Sequence, residues 1–181
     1  MPPAMRKLLD TAYLASGWLA ALMVLGIAVL MVGQSILREF HVATGAVNDV
    51  VSWFCAGAAF LAMAHAFKHG DFVRVTLTME HLSPAWQRRF EVFSLLVGTL
   101  ATGYLAWWAV RFTYESWEFN EVAQGLLPLA IWIPQSSFAV GATLLFVALI
   151  DELWIVLSGG RPSYVVAVEA RHAQGDFSSD V

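Results

Sequence analysis

Four long apolar runs take up most of this 181-residue chain, at residues 12–37, 50–67, 92–110 and 126–150. Each run has the length that a helix needs, roughly 17 to 25 residues, to cross about 30 Å of hydrocarbon. Within lipid every backbone polar group must be satisfied internally, which makes helix the default for all four runs. The chain is therefore predicted to be an all-α integral membrane protein with four transmembrane helices.

The spans are expected at about 12–37, 50–67, 90–110 and 126–152, within a membrane domain of residues 1–157. Short interfacial segments are expected at 71–82, where apolar and polar residues alternate, and around 126–132, where Pro128 interrupts the helix. Residues 158–181 contain Gly, Pro, Ser and mixed charge, and we expect them to form a loose cytoplasmic tail.

The charge distribution predicts the orientation of the chain. Hydrophobic residues make up 59% of the sequence and charged residues 13%, which argues against a soluble catalytic domain. Eight of the ten Lys and Arg residues lie before the first span, between the second and third spans, or in the tail. Lys and Arg concentrate on the cytoplasmic side of membrane proteins, so both termini are expected in the cytoplasm.

Local residue types predict how the spans begin and pack. Asn48 or Asp49 is placed to cap the second helix, and Ser83 followed by Pro84 predicts the start of the third. The second span is rich in Ala and Gly, and small residues let helices approach closely in lipid, so we expect it to be the most tightly packed. Cys55, within that span, is expected to be a buried packing residue.

Several short motifs occur in a specific order. Arg38 closes the first span, Asn48 and Asp49 open the second, and the chain continues with GDFVRVTL at 70–77 and GLLPLAIWIPQ at 125–135. In this order they resemble the small membrane subunit of tripartite ATP-independent periplasmic (TRAP) transporters. The resemblance covers nearly the whole chain up to the fourth span.

The resemblance implies a non-enzymatic scaffold subunit in the bacterial inner membrane. In such systems a periplasmic protein captures an organic acid anion, and a large membrane subunit moves it with sodium by an elevator-type motion. The small subunit stays with the static part and helps dock the periplasmic protein. The implied partners are therefore the large membrane subunit, the periplasmic substrate-binding protein and the lipid bilayer, with no nucleic acid. Nothing in the sequence indicates which anion is transported.

The span interiors favour the scaffold role independently. Spans 1 and 3 have no charged residue inside, span 2 offers only His65 near its inner end, and span 4 offers only Gln135 to Ser137 near its outer end. A chain that itself bound an ion at the middle of the membrane would be expected to carry ionisable residues or a broken helix there.

Contact residues are expected at the polar ends of the spans. Arg38 and Asp49 lie at the outer boundary, where Arg38 is placed to bind a lipid phosphate or a carboxylate of the large subunit. Arg74 belongs to an inner positive group, with Lys68, Arg88 and Arg89, that is expected to meet anionic lipid or the partner.

An acidic group is expected at the outer face. Glu115, Glu118 and Glu121 recur every third residue and are expected to share one side of a helix. Two interpretations remain open, namely a solvated helix end and a docking surface for the periplasmic partner.

Two other function classes also remain open. A membrane anchor of a respiratory complex would need axial haem ligands, and only His65 is remotely placed. An autonomous four-helix exporter would need a buried carboxylate, which spans 1 to 3 lack. His65 and His69 are four residues apart, but two histidines without a third ligand are weak evidence for a metal, so no metal or cofactor is expected.

Overall fold

The computed structural model describes residues 3–71 and 83–173, apart from the side chains of residues 3–5 and 84. The helices in these ranges are α1 (Pro3–Glu39), α2 (Gly45–His69), α3 (Pro84–Glu118), α4 (Trp132–Leu157) and α5 (Ser163–Ala173). The first four are long and apolar enough to cross a membrane. The predicted class, an all-α protein with four membrane spans, is confirmed.

The long helices pack in the spatial order α1, α2, α4, α3. α4 lies between α2 and α3 and is the most buried of the four spans, with buried positions recurring from Ala139 to Val156. The second span, predicted to be the most tightly packed, is less buried than α4, since α2 turns part of its small-residue surface outward. Cys55 is exposed rather than buried, whereas the neighbouring Gly57 and Ala58 face the interior.

A glycine permits the closest approach between α2 and α4. A Cβ on Gly141 would lie 2.6 Å from the carbonyl oxygen of Phe60, so no side chain fits at this crossing. Apolar burial gives little drive for helix association in lipid, and close backbone packing therefore matters more there than in water. The contact between α2 and α4 forms the centre of the bundle.

Two apolar clusters fill the bundle, one toward each end. One cluster joins Tyr13 and Phe67 to Leu149, Val156 and Tyr164. The other consists of four alanines with Phe60, Phe138 and Phe146 packed against them, at Ala106, Ala109, Ala139 and Ala142. We call the two ends the α5 end, where α1 and α3 begin and α2 and α4 end, and the loop end, where residues 40–44 and 119–131 connect the helices.

The helix starts agree only in part with the predicted ones. α3 begins at Pro84 after Ser83, as predicted. α2 begins at Gly45 after Thr44, whose side chain makes no capping hydrogen bond. Neither Asn48 nor Asp49 is the N-cap of α2, because the helix begins before them, and both side chains accept hydrogen bonds from other segments.

The tail differs from the expectation of a loose segment. Residues 163–173 form α5, in which Tyr164 is buried. Residues 174–181 lie outside the described residues, as does the interfacial segment expected at 71–82 beyond Asp71. The stretch at 126–131 is irregular, as expected, and α4 begins at Trp132.

Candidate functional site

A lysine and two carboxylates meet inside the α5 end of the bundle. Lys68 Nζ, near the end of α2, lies 2.6 Å from Asp151 Oδ2 and 3.1 Å from Glu152 Oε2 of α4. The side chains of Lys68 and Glu152 are 11% and 0% exposed, so water and salt screen this ion pair little. The buried pair fixes α2 to α4, since separating the helices would leave charges unpaired at low dielectric.

Glu152 also holds the start of α5. Its carboxylate accepts hydrogen bonds from both the backbone N–H and the hydroxyl of Ser163. Ser163 is the first residue of α5, where free amides and the positive end of the helix dipole favour a carboxylate. One side chain of α4 therefore pairs with α2 and caps α5.

Two side chains of α5 reach other helices. The Tyr164 hydroxyl donates to Glu91 Oε1 of α3 at 2.5 Å. Arg171 donates to Asp71 Oδ1 at 2.7 Å and to the carbonyl oxygen of His69 at 2.5 Å. These contacts hold α5 against the end of α2 and the beginning of α3.

Gly70 lets α5 approach the end of α2. It is the C-cap of α2 with φ of 76°, in the left-handed region that favours glycine. A Cβ at this position would lie 2.9 Å from the carbonyl oxygen of Tyr164. Both the backbone conformation and the lack of space therefore require glycine here.

Two aromatic groups complete this end. The Tyr13 ring centroid lies 5.9 Å from Lys68 Nζ, within cation–π range. The rings of His65 and His69 stack with centroids 4.0 Å apart, so they share a helix face as their spacing predicts. Across the described ranges, no group of three His, Cys, Asp or Glu side chains is placed to hold a metal ion.

At the loop end, Asp49 anchors the connection that leads into α4. Its Oδ2 accepts the backbone N–H of Leu126 at 2.9 Å. A Cβ on Gly125 would collide with this carboxylate, so the glycine leaves room for it. Next to Asp49, Asn48 Oδ1 accepts a hydrogen bond of 3.2 Å from Gln34 Nε2, which joins α1 to α2.

The connection between α3 and α4 folds back on itself. Val122 and Ala130 form an antiparallel bridge. Glu121 accepts a hydrogen bond of 2.8 Å from the Ser116 hydroxyl, and its carbonyl oxygen accepts the N–H of Ile131 at 3.0 Å. Glu121 is therefore a structural residue of this connection.

The expected acidic helix face is not formed as predicted. α3 ends at Glu118, so Glu121 does not continue the same helix. Glu115 Oε1 accepts a hydrogen bond of 2.8 Å from Arg111 Nε, one turn earlier. Glu118 is exposed, and no cation pairs with it among the residues that the structure describes. Of the three glutamates, Glu118 is the one that lies on α3 without an ion-pair partner in the described ranges.

The remaining predicted contact residues lie apart from these clusters. Arg38 is exposed at the end of α1 and has no carboxylate partner within residues 3–71 and 83–173. Arg74 lies outside the described residues. In the described part of the chain, no hydrogen bond or ion pair joins one predicted contact residue to another.

Three threonine hydroxyls deeper in the spans are satisfied within their own helices. The hydroxyls of Thr99, Thr102 and Thr143 each donate at 2.7 Å to a carbonyl oxygen four residues earlier. The charged side chains of the described helices lie toward the two ends, and the stretches between them, such as 92–110, carry none. Chemically, this arrangement ties helices together and leaves an apolar middle.

Sequence reasoning missed the cluster around Lys68. The pattern groups Lys68 with the inner positive residues and places Asp151 and Glu152 at the exit of the fourth span. A usable signal was present, because in a four-span topology the end of the second span and the end of the fourth lie on the same side. A lysine and two acids at such ends are expected to pair when the helices are neighbours.

Comparison with known proteins gives one family. The family model described as "Tripartite ATP-independent periplasmic transporters, DctQ component" matches residues 27–159. The matched range contains Asp49, Lys68 and Glu152, and it ends before α5. No curated protein and no solved structure matches the chain.

Proposed function

This chain belongs to the DctQ component family of tripartite ATP-independent periplasmic transporters and is the small subunit of such a transporter, and we propose that it acts as the fixed scaffold of the membrane complex. The scaffold holds the large membrane subunit in place while that subunit carries the substrate across. The family match over residues 27–159 is the observation that carries this proposal.

The distribution of polar contacts supports a static role. The described spans are joined at both ends by specific bonds, Lys68 to Asp151 and Glu152 at one end and Asp49 to Leu126 at the other. Such contacts oppose sliding of α2 past α4, because sliding would break a buried ion pair. A subunit braced in this way suits the part of a transporter that does not move.

The finer features of the proposal follow from the family. The complex takes up an organic acid anion with sodium, and its other components are a large elevator-type membrane subunit and a periplasmic substrate-binding protein. The chain lies in the bacterial inner membrane with both termini in the cytoplasm. The excess of Lys and Arg in the N-terminal segment, the 68–89 region and the tail supports this orientation.

Reconstitution tests the scaffold proposal. Vesicles containing this chain, its large subunit and the binding protein should take up a carboxylate substrate when a sodium gradient is imposed. Vesicles containing this chain alone should take up none. Uptake by this chain alone would overturn the proposal, as would full uptake by the large subunit and binding protein without it.

We place the docking contact for the binding protein at the loop end, around Glu118. This carboxylate is exposed and unpaired in the described part of the chain, whereas Glu115 is paired with Arg111 and Glu121 is bonded to Ser116. Complementary charge speeds and orients association between proteins.

The charge reversal Glu118→Lys tests this contact. It should raise the concentration of binding protein needed for half-maximal uptake several-fold, with the effect shrinking at high salt. Asp10→Lys makes the same charge change at the exposed start of α1, at the α5 end, and serves as the control. Equal uptake curves for both variants would rule out a docking contact at Glu118 and would leave the scaffold proposal unaffected.

A further inference from the structure

The first turns of α3 carry a groove with one charged end and one apolar end. It is lined by Ala85, Arg88, Arg89, Val92, Phe93 and Leu96, and its volume is about 550 Å³. Arg88 and Arg89 lie where the helix enters the apolar run of residues 92–110. The helix rises by about 12 Å along its axis from Arg88 to Leu96. The groove thus begins at a membrane boundary and runs into the hydrocarbon.

Within residues 3–71 and 83–173, other groups than carboxylates contact both arginines. Arg88 Nη2 donates to the carbonyl oxygen of Val156 on α4 at 3.3 Å. The Arg89 guanidinium lies 5.1 Å from the ring centroid of Trp86. No acidic side chain of the described residues forms an ion pair with either arginine. Their charges therefore remain available to an anion.

The start of the helix adds to this positive character. Ser83, the N-cap of α3, makes no side-chain capping hydrogen bond. Pro84 has no N–H, and the amides of Trp86 and Gln87 donate to a backbone carbonyl oxygen. The attraction for an anion at this helix start therefore comes mainly from the positive end of the helix dipole. Arginine binds phosphate with two parallel hydrogen bonds, which a lysine does not offer.

We propose that this groove binds one anionic phospholipid, such as a phosphatidylglycerol, from the leaflet at the α5 end. The headgroup phosphate is bound by Arg88 and Arg89, and an acyl chain lies along Val92, Phe93 and Leu96. The positive end of the groove matches the phosphate headgroup, and its apolar end matches the acyl chain. Trp86 lies at the boundary, where tryptophan side chains are enriched in membrane proteins.

This site goes beyond the scaffold function, because a bound lipid would tie the start of α3 and the end of α4 to the membrane boundary. It differs from general attraction of basic residues to an anionic surface. Such attraction depends on charge alone, whereas this site also depends on the shape of the groove.

Native mass spectrometry measures lipid binding to the full chain, both alone and co-purified with its large subunit. Phosphatidylglycerol is titrated into each sample in the presence of a constant amount of phosphatidylcholine. The double variant Arg88→Gln/Arg89→Gln should bind phosphatidylglycerol about 30-fold more weakly, since each basic residue near an anionic surface contributes about 1 kcal/mol. The control Arg6→Gln/Lys7→Gln removes the same charge from exposed residues at the same end and should change binding by less than about threefold.

A second variant removes the shape and keeps the charge. Ala85→Trp narrows the groove and leaves both arginines, and it should also weaken phosphatidylglycerol binding. Inorganic phosphate should not displace the lipid, because it has no acyl chain. Three results would each overturn the proposal: an equal loss of binding in Arg88→Gln/Arg89→Gln and in its control Arg6→Gln/Lys7→Gln, unchanged binding in Ala85→Trp, or displacement of the lipid by inorganic phosphate. Thermal unfolding of every variant identifies any loss that comes from misfolding.

Discussion

Asp49 Oδ2 accepts the backbone N–H of Leu126 at 2.9 Å, which joins the first turns of α2 to the connection before α4. The two residues lie 77 positions apart in the sequence, and Asp49 belongs to α2 whereas Leu126 follows α3. Gly125 allows the carboxylate to rest against the backbone of the connection. This bond therefore sets where the chain enters α4 relative to α2.

We expect Asp49→Ala to loosen residues 119–131. A hydrogen bond to a charged acceptor stabilises by about 1.5–3 kcal/mol, and partial exposure places this one near the lower value. Backbone amides of the connection should exchange with deuterium roughly tenfold faster, as measured by mass spectrometry. Asp49→Asn should show a smaller effect, because its amide oxygen still accepts. Glu118→Ala is the control, and an equal rate change in that variant would contradict the role given to Asp49.

The spans were predictable because about 20 consecutive apolar residues allow few alternatives to a membrane helix. The start of α3 was predictable for a local reason, since Ser83 and Pro84 are neighbours in the sequence. The bond from Asp49 to Leu126 and the ion pairs of Lys68 were not, because they depend on which helices are neighbours. Hydropathy reveals spans but not the order α1, α2, α4, α3.

α5 was hidden for a related reason. Its sequence contains helix-forming residues, but a helix of this length is marginal alone and needs tertiary contacts. Those contacts come from Glu152, Glu91 and Asp71, on segments distant in the sequence. Composition identified a polar tail, and only the packing shows that part of it is anchored.

Replacing Lys68 by Met should destabilise the chain strongly. The change leaves Glu152, at 0% exposure, facing Asp151 with no cation between them. Breaking a buried pair costs about 3–5 kcal/mol, which corresponds to a fall in Tm of roughly 10 °C. Tryptophan fluorescence during heating in detergent measures the shift. Arg111→Met breaks an exposed pair with Glu115 and should cost less than about 1 kcal/mol.

The pairing of Lys68 with Glu152 also predicts how two substitutions combine. The double variant Lys68→Met/Glu152→Gln should be less destabilised than the sum of the single variants, by about 1–3 kcal/mol, because it leaves fewer unpaired charges. Strict additivity would mean that the two side chains do not interact in the membrane. A loss for Arg111→Met as large as that for Lys68→Met would point instead to a general effect of charge.

Gly70→Ala should detach α5 from the end of α2. The new Cβ meets the Tyr164 carbonyl oxygen at 2.9 Å, and alanine also disfavours the φ of 76°. Gly159→Ala is a matched control, since Gly159 has φ of 81° but nothing within 4 Å of a Cβ. The control should show only the conformational cost, about 1–2 kcal/mol. Gly70→Ala should lower the free energy of unfolding by more than this and should speed deuterium exchange of the amides of residues 163–173. Equal exchange rates in both variants would show that α5 does not depend on this contact.

Gly141→Ala should separate α2 from α4 and weaken the complex with the large subunit. Its Cβ would lie 2.5 Å from the Phe60 carbonyl carbon and 2.6 Å from the oxygen, and backbone atoms cannot move aside without shifting a helix. Overpacking of this kind costs typically about 1–3 kcal/mol. Gly98→Ala is the control, because a Cβ there lies 3.7 Å from Leu149, an ordinary contact. In that variant the free energy of unfolding should be unchanged or should rise by up to about 1 kcal/mol, because alanine has the higher helix propensity. The measurement is the amount of large subunit that co-purifies with each variant. The scaffold proposal requires that this amount falls for Gly141→Ala and not for Gly98→Ala. Undiminished co-purification with Gly141→Ala despite a lowered Tm would mean that binding of the large subunit does not depend on the spacing of α2 and α4.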